Sequence, residues 1–389
     1  MPELSSEFPA HNHQLSAEKY DLVIVGAGIL GLAHAWHALR LGLRTAVVER
    51  DDQAVGASIR NFGHVCITAQ SGRARDYAET TRREWLAIGR VTRIDVREVG
   101  STVVLRNELE AAVMAEFAAT QNNEVQLLGS ERTAGVLGVD PSLVQGGAHF
   151  PNDLRLDPRA AVAELARYLQ EQGTDFYFGT NVGLIEPGKV VTNKGQLDTK
   201  HVVVAVNHDL DRFFPELADQ YSVTRCRLRM LEIDAPRNVR IEPAILTGLS
   251  LLRYDAFKGL KAHAALREHF ERVSPELLEH DLNHMLTQRP DGVLVVGDTH
   301  HRARTEHPFE LERSDELLIS ETARLFGVEK VRIRRRWRGI YASSAFTNFV
   351  CEIPMPGVRA LSVTTGIGMT TSLGFAQESL LSLLESSPQ

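Results

Sequence analysis

Cysteine is scarce in this chain. The three residues, Cys66, Cys226 and Cys351, lie far apart and form no CxxC pair among 389 residues. That spacing offers no metal knuckle, and an odd count fits a reducing compartment better than a disulfide framework. No run of 18 apolar residues occurs, so no membrane-spanning helix is expected. Basic charge is not in excess: Lys plus Arg is 43 against 50 for Asp plus Glu, a formal net charge of −7. This argues against general nucleic-acid binding. Internal repeats and low-complexity segments are missing too. The opening stretch, MPELSSEFPAHNHQLSAEKY, lacks the basic region and apolar core of a signal peptide, and residues 1–19 read as a flexible arm. These absences leave a cytoplasmic protein as the expectation. Its length is too great for one ordinary core and suits two domains.

What is present is concentrated in Asp21 to Arg50, DLVIVGAGILGLAHAWHALRLGLRTAVVER. An apolar run ends in Gly26-Ala27-Gly28-Ile29-Leu30-Gly31, a helical pattern follows, and a second apolar run ends in Glu49. Strand, glycine turn, helix, strand and acid make a dinucleotide-binding unit. Gly26 permits the tight turn, Gly28 lets the backbone approach a pyrophosphate, and Gly31 lets helix and strand pack closely. The helix N-terminus carries unpaired N–H groups, and Glu49 stands where a carboxylate accepts from ribose hydroxyls. The motif alone does not separate FAD from NAD. Its place near the N-terminus and the Glu49-Arg50 pair lean towards FAD.

Further along, helices are expected over about 73–93, 108–119, 158–172 and 314–325. Asp157 reads as an N-cap before Pro158, with Gly173 past the end. Strands are expected at 103–105, 189–192, 201–206, 331–341 and 359–364, with Tyr221 to Arg253 in a second sheet. The fold class is α/β: a Rossmann-like, glutathione-reductase-type FAD domain (20–95, 146–220 and 327–389) interleaved with a mixed or antiparallel-sheet substrate domain (96–145 and 221–326).

The GAGILG motif, the strand ending in VVVAV, Arg336-Trp337-Arg338-Gly339 and the C-terminal TTGIGMTTSLG turn resemble the D-amino acid oxidase superfamily, which includes glycine oxidase and monomeric sarcosine oxidase. The resemblance covers the chain from about residue 20. Gly56-Ala57-Ser58-Ile59-Arg60-Asn61-Phe62-Gly63, Leu252-Arg253-Tyr254 and Gly297-Asp298-Thr299-His300 look like the FAD-dependent oxidoreductases of bacterial phosphonate-catabolism loci. That branch implies oxidation of 2-aminoethylphosphonate or its N-methyl derivative to phosphonoacetaldehyde. It implies non-covalent FAD and O2 or another electron acceptor; an oxidase or dehydrogenase of glycine, sarcosine or a D-amino acid is the alternative. In this chain Gly339 holds the place of the flavin-linking cysteine of sarcosine oxidases. Tyr341 holds the place of the carboxylate-binding arginine of glycine oxidase. The strand Val293 to Gly297 has no counterpart of the sarcosine oxidase lysine.

The resemblance implies that Ile29, Leu30, Arg50, Ser58, Asn61, Val182, Gly366, Gly368, Met369 and Thr370 join the first glycines and Glu49 in holding FAD. The helix after Gly366 would aim its positive end at the N1–C2=O edge of the flavin. A phosphonate needs fixed positive charge, and Arg60 and Arg253 are the candidates, with a structural ion pair as the competing reading for each. Arg225, Arg227 and Arg229 share one strand face and read as a solvated face, as do Arg332, Arg334, Arg335, Arg336 and Arg338. His64 and His300 are candidate catalytic contacts, able to hold an amine neutral near pH 7, against a structural role. Tyr254 and Tyr341 are candidates for an amine pocket by hydrogen bonding or cation–π contact. A non-catalytic flavoprotein subunit is the reading from another class. The C-terminal turn disfavours an NAD-dependent dehydrogenase.

Overall fold

The computed structural model describes residues 15, 19–121 and 124–385. The arm expected over 1–19 therefore lies outside the described residues except at positions 15 and 19. Two large sheets organise the rest. In the first, Val358–Val363, Gly195–Val204, Tyr20–Val25, Thr45–Val48 and Asp175–Tyr177 run parallel in that order, with Phe349–Met355 antiparallel at one edge. Tyr20–Val25 is central and its apolar run Leu22–Val25 is buried, as a strand covered on both faces requires. Helices Ile29–Arg40, Gly72–Val91, Pro158–Glu171 and Gly368–Glu385 cover one face, with Leu32, Trp85, Leu165 and Leu373 in their shared core.

The second sheet has nine strands, ordered His301–Ala303, Thr224–Ile233, Leu294–Gly297, Met285–Gln288, Ala244–Leu246, Ser101–Leu105, Gly146–Phe150 and Gln126–Gly129. The ninth, Ile333–Ser343, pairs antiparallel with Thr224–Ile233 over almost their full lengths. Helices Glu108–Ala119, Lys261–Val273 and Glu312–Phe326 bury Phe117, Phe270 and Phe326 against this sheet. Gly146–Phe150 and Ile333–Ser343 sit across the boundaries expected from sequence, since both pair into this sheet rather than the nucleotide-binding one.

Local signals held where a physical stop was written in the chain. The helix expected at 108–119 spans Glu108–Ala119. Asp157 caps Pro158–Glu171 by accepting from the Arg159 N–H at 3.0 Å, and Gly173 beyond it has φ +99°. Two expectations need correction. Arg253 is not on a strand: it ends the short helix Gly248–Arg253, a run so buried that apolar periodicity could not distinguish helix from strand. Arg225, Arg227 and Arg229 are not a solvated face either. The segment after Ala303 folds over them and supplies Glu310 and Asp315, while Asp209 and Asp211 take Arg225. Among the described residues no helix is long and apolar enough to cross a membrane.

Candidate functional site

The chain leaves the central strand at Gly26, whose φ is +105° and where a Cβ would stand 2.7 Å from the Ala205 carbonyl oxygen. A Cβ at Gly31 would stand 1.9 Å from the Gly26 oxygen. Only glycine fits either place, so the turn and the helix lie as close to the strand as backbone allows. Glu49 is fixed at the tip of the next strand, accepting from the Ala27 N–H at 2.8 Å and the Asp51 N–H at 3.1 Å. Burial raises its pKa, and these two bonds work against the rise. Arg50 turns outward to Asp209 at 2.6 Å. At Gly28 the neighbour is Ser58, whose Oγ accepts from the Ile29 N–H at 2.9 Å.

A cavity opens from this helix N-terminus and is lined from both sheets. Gly28, Ile29, Leu30, Ser58, Asn61, Gly366, Gly368, Met369 and Thr370 line it, as do Arg60, His64, Arg253, Tyr254, His300 and Tyr341. Gly26, Gly31, Glu49, Arg50 and Val182 are not on its wall. The two glycines stand behind the turn, and Val182 is buried beside Tyr177 and Ile185. Gly366, with φ +74°, sits against the Tyr341 ring: a Cβ there would stand 2.9 Å from Cζ.

Two hydroxyls on the wall, Thr365 Oγ1 and Ser372 Oγ, are buried without a partner among the described residues. Buried polar atoms are normally paired. Together with the glycine cradle and the helix N-terminus, they fit a group bearing a diphosphate and a polar ring. FAD is such a group, and Ser58 and the first turn of Gly368–Glu385 stand on the same wall.

Residues from four separate segments meet in another part of the cavity. Arg253, half-buried, donates from Nη2 to the Tyr341 hydroxyl at 3.0 Å, and its Nη1 lies 3.8 Å from Asp281. His300 donates from Nδ1 to the Asp281 carbonyl at 2.8 Å, which leaves the lone pair of the neutral ring on Nε2, 3.5 Å from Asp298. Burial first and then the Arg253 charge hold His300 well below the usual imidazole range. Burial pushes the Asp298 carboxyl up to about 7, with Arg253 opposing and Asp281 adding. Asp298 Oδ1 has no hydrogen-bond partner among the described residues. The Tyr254 and Tyr341 hydroxyls are driven far up by burial and stay neutral.

Arg60 lines the same cavity in different surroundings. It donates to the Arg338 carbonyl at 3.2 Å, and burial followed by the Arg338 charge lowers its pKa. Among the described residues the two candidate arginines share no hydrogen-bond or ion-pair partner. His64 stands on the short pair formed by His64–Val65 with Leu154–Arg155, and its Nε2 is 2.9 Å from Asp153. Cys66 is adjacent, but burial pushes its thiol well up, which disfavours the thiolate a metal would need. Sequence reading overlooked Asp298, Asn283, Asp281 and Asp153. The Gly297-Asp298-Thr299-His300 motif signalled the first; nothing local marks Asp153 in its Pro-Asn-Asp turn.

The family described as "DAO: FAD dependent oxidoreductase" matches residues 21–379. Glycine oxidase from Bacillus licheniformis is 23% identical over 346 residues, covering 83% of this chain and 81% of that protein. Among solved structures, glycine oxidase from Geobacillus kaustophilus superposes with a TM-score of 0.76 at 18% identity, covering 95% of this chain and 96% of that one. L-proline dehydrogenase from P. horikoshii gives 0.77 at 17% identity, covering 96% and 95%. At these identities the structural matches establish the fold.

Proposed function

The chain belongs to the FAD dependent oxidoreductase (DAO) family, and on that premise we propose that it oxidises a small amine carrying an anionic head group, most specifically an aminoalkylphosphonate. Bound in the cavity, FAD supplies the two-electron acceptor for a C–H bond beside nitrogen. The product imine hydrolyses to an aldehyde and an amine: phosphonoacetaldehyde with ammonia from 2-aminoethylphosphonate, or with methylamine from its N-methyl derivative. O2, yielding H2O2, is the proposed acceptor. FAD is held without a covalent link, since Gly339 has no side chain to offer. The free thiols at Cys66, Cys226 and Cys351 support a reducing, cytoplasmic setting.

The observation that carries this reading is Arg253, a cation held inside the cavity by Tyr341 and presenting a guanidinium to whatever binds there. A phosphonate dianion pairs well with a planar fork of donors. Arg60, elsewhere on the lining of that cavity, adds a second positive charge. Asp298 and His300 supply acceptors for the nitrogen end. The second reading, a glycine, sarcosine or D-amino acid oxidase, is favoured by the named relatives. Tyr341 weighs against it, because the resemblance gives that place to a carboxylate-binding arginine.

Anaerobic bleaching of the flavin absorbance tests both. N-methyl-2-aminoethylphosphonate, 2-aminoethylphosphonate, sarcosine, glycine and D-alanine would be compared. Rapid bleaching by the phosphonates is the expected result; bleaching by glycine or sarcosine alone establishes the second reading.

A further inference from the structure

Resting on the amine-oxidation reading above, we propose that His64 and Asp153 form a dyad in which His64 Nδ1 takes the ammonium proton of the bound substrate while Asp153 positions the ring. The Asp153 carboxylate is wholly buried and its acceptor sites are filled. Oδ1 accepts from the Ile67 and Thr68 N–H groups, both at 2.9 Å. Oδ2 accepts from Ser101 Oγ at 2.6 Å and from His64 Nε2 at 2.9 Å. Burial opposes its charge, but His64, Ser101 and the backbone donors prevail and hold it below the usual carboxylate range.

An ionised carboxylate can only accept, so the proton of the neutral ring stands on Nε2 and the lone pair on Nδ1. That Nδ1 is buried without a partner among the described residues, in a ring that lines the cavity. The His64–Val65 and Leu154–Arg155 pairing fixes the ring from its own backbone. The geometry is that of a general base oriented by a third group.

The chemistry needs such a base. An alkylammonium like that of lysine has a pKa of about 10.4, so a small amine reaches a neutral enzyme protonated. Its α-carbon cannot release a hydride until the nitrogen has a lone pair. The N–H bond breaks, its electron pair stays on nitrogen, and a new bond forms between the proton and Nδ1. The imidazolium is then stabilised by Asp153, and the proton returns to solvent after product leaves. His64 is the catalytic residue here and Asp153 the positioning residue.

Two measurements test this. In the wild-type flavoenzyme at pH 8, 15N NMR of labelled histidine, assigned by loss of the signal in His64→Asn, is expected to show Nε2 protonated and Nδ1 bare. A proton on Nδ1 overturns the dyad. Separately, kcat/KM of His64→Asn and Asp153→Asn is followed against pH, with whichever amine the wild type oxidises and with flavin absorbance as the check on folding. The expected loss is about 10²- to 10³-fold at pH 7. It shrinks by about tenfold per pH unit as the free amine becomes available below its own pKa. A loss of equal size at every pH marks a structural role and overturns the proton step. A wild type that oxidises no amine refutes the reading above and this step with it, whereas a protonated Nδ1 refutes the dyad alone.

Discussion

Replacing Arg253 with alanine isolates the head-group interaction on which the substrate class depends. The guanidinium is half-buried, with one direct hydrogen bond, to Tyr341 at 3.0 Å, and a looser approach to Asp281 at 3.8 Å. Its remaining donors are available to an anion. A hydrogen bond to a charged group contributes roughly 1.5–3 kcal/mol, and 1.4 kcal/mol is about a factor of ten, so KM should rise about 10- to 150-fold. The surroundings soften one side effect. Arg253 opposes the upward shift of Asp298, so its removal drives that carboxyl further towards its neutral form and leaves no new carboxylate to repel the substrate. The assay compares KM and kcat for the anionic amine with those for an uncharged amine of similar size, with flavin absorbance confirming an intact site. Only the anionic substrate should suffer, mainly in KM. Tyr341→Phe takes away the hydroxyl that accepts from the guanidinium but leaves the charge in place, and should raise KM for the anionic amine by less than Arg253→Ala does. An unchanged KM, or an equal rise for the uncharged amine, would remove Arg253 from the head-group site.

Other consequences are separable. Gly31→Ala places a Cβ 1.9 Å from the Gly26 oxygen and should yield protein without bound flavin; a yellow variant with normal absorbance contradicts the close-approach reasoning. Asp298, raised to about 7 in the fold, should give kcat/KM an inflection near that pH that disappears in Asp298→Asn. The same shift has a stability consequence: between the ordinary carboxylate pKa and 7 the folded state binds the extra proton, so stability falls as pH rises through that window. Asp298→Asn should therefore gain more in Tm over the wild type at pH 8 than at pH 5, and equal gains would show that the carboxyl is not so shifted. Arg229→Ala strands the buried Asp315 carboxylate, which Arg229 holds through two bonds at 2.8 and 2.6 Å while Arg336 stands at 3.2 Å. Urea unfolding should show a loss of about 3 kcal/mol, and a change within about 0.5 kcal/mol would mean that Arg336 alone suffices.

The parts of the fold that could be read in advance are those whose causes are local. Gly26 and Gly31 announce a turn because no side chain fits where another backbone passes, and that steric fact acts within a few residues. Asp157-Pro158 announces a helix start for the same kind of reason. Gly248–Arg253 gave no such sign. A run buried on every side has no polar face, so its periodicity is silent, and its helical form is settled by packing against distant segments. The arginines of Thr224–Ile233 misled for a related reason. Alternation shows that they share a face, but the carboxylates that cover that face come from beyond residue 300.

The cavity divides along the same line. The part proposed to take the nucleotide comes largely from short contiguous motifs, the turn at Gly26–Gly31 and the helix start at Gly366–Thr370, and both are visible as glycine spacing. Its chemical half is assembled from groups that are unremarkable where they stand in sequence. Arg253 ends a helix, Asp281 lies in a turn, Asp298 leaves a strand and Tyr341 lies on another. Each acquires its properties from the others: the Arg253 charge acts on both His300 and Asp298, and Asp281 adds to the rise at Asp298. Asp153 is the clearest case. It stands 89 residues from His64, and its acceptor sites are filled by groups from three further positions in the chain. A carboxylate so saturated fixes the tautomer of its histidine, and that constraint exists only once the strand holding His64 has paired with the one that follows Asp153.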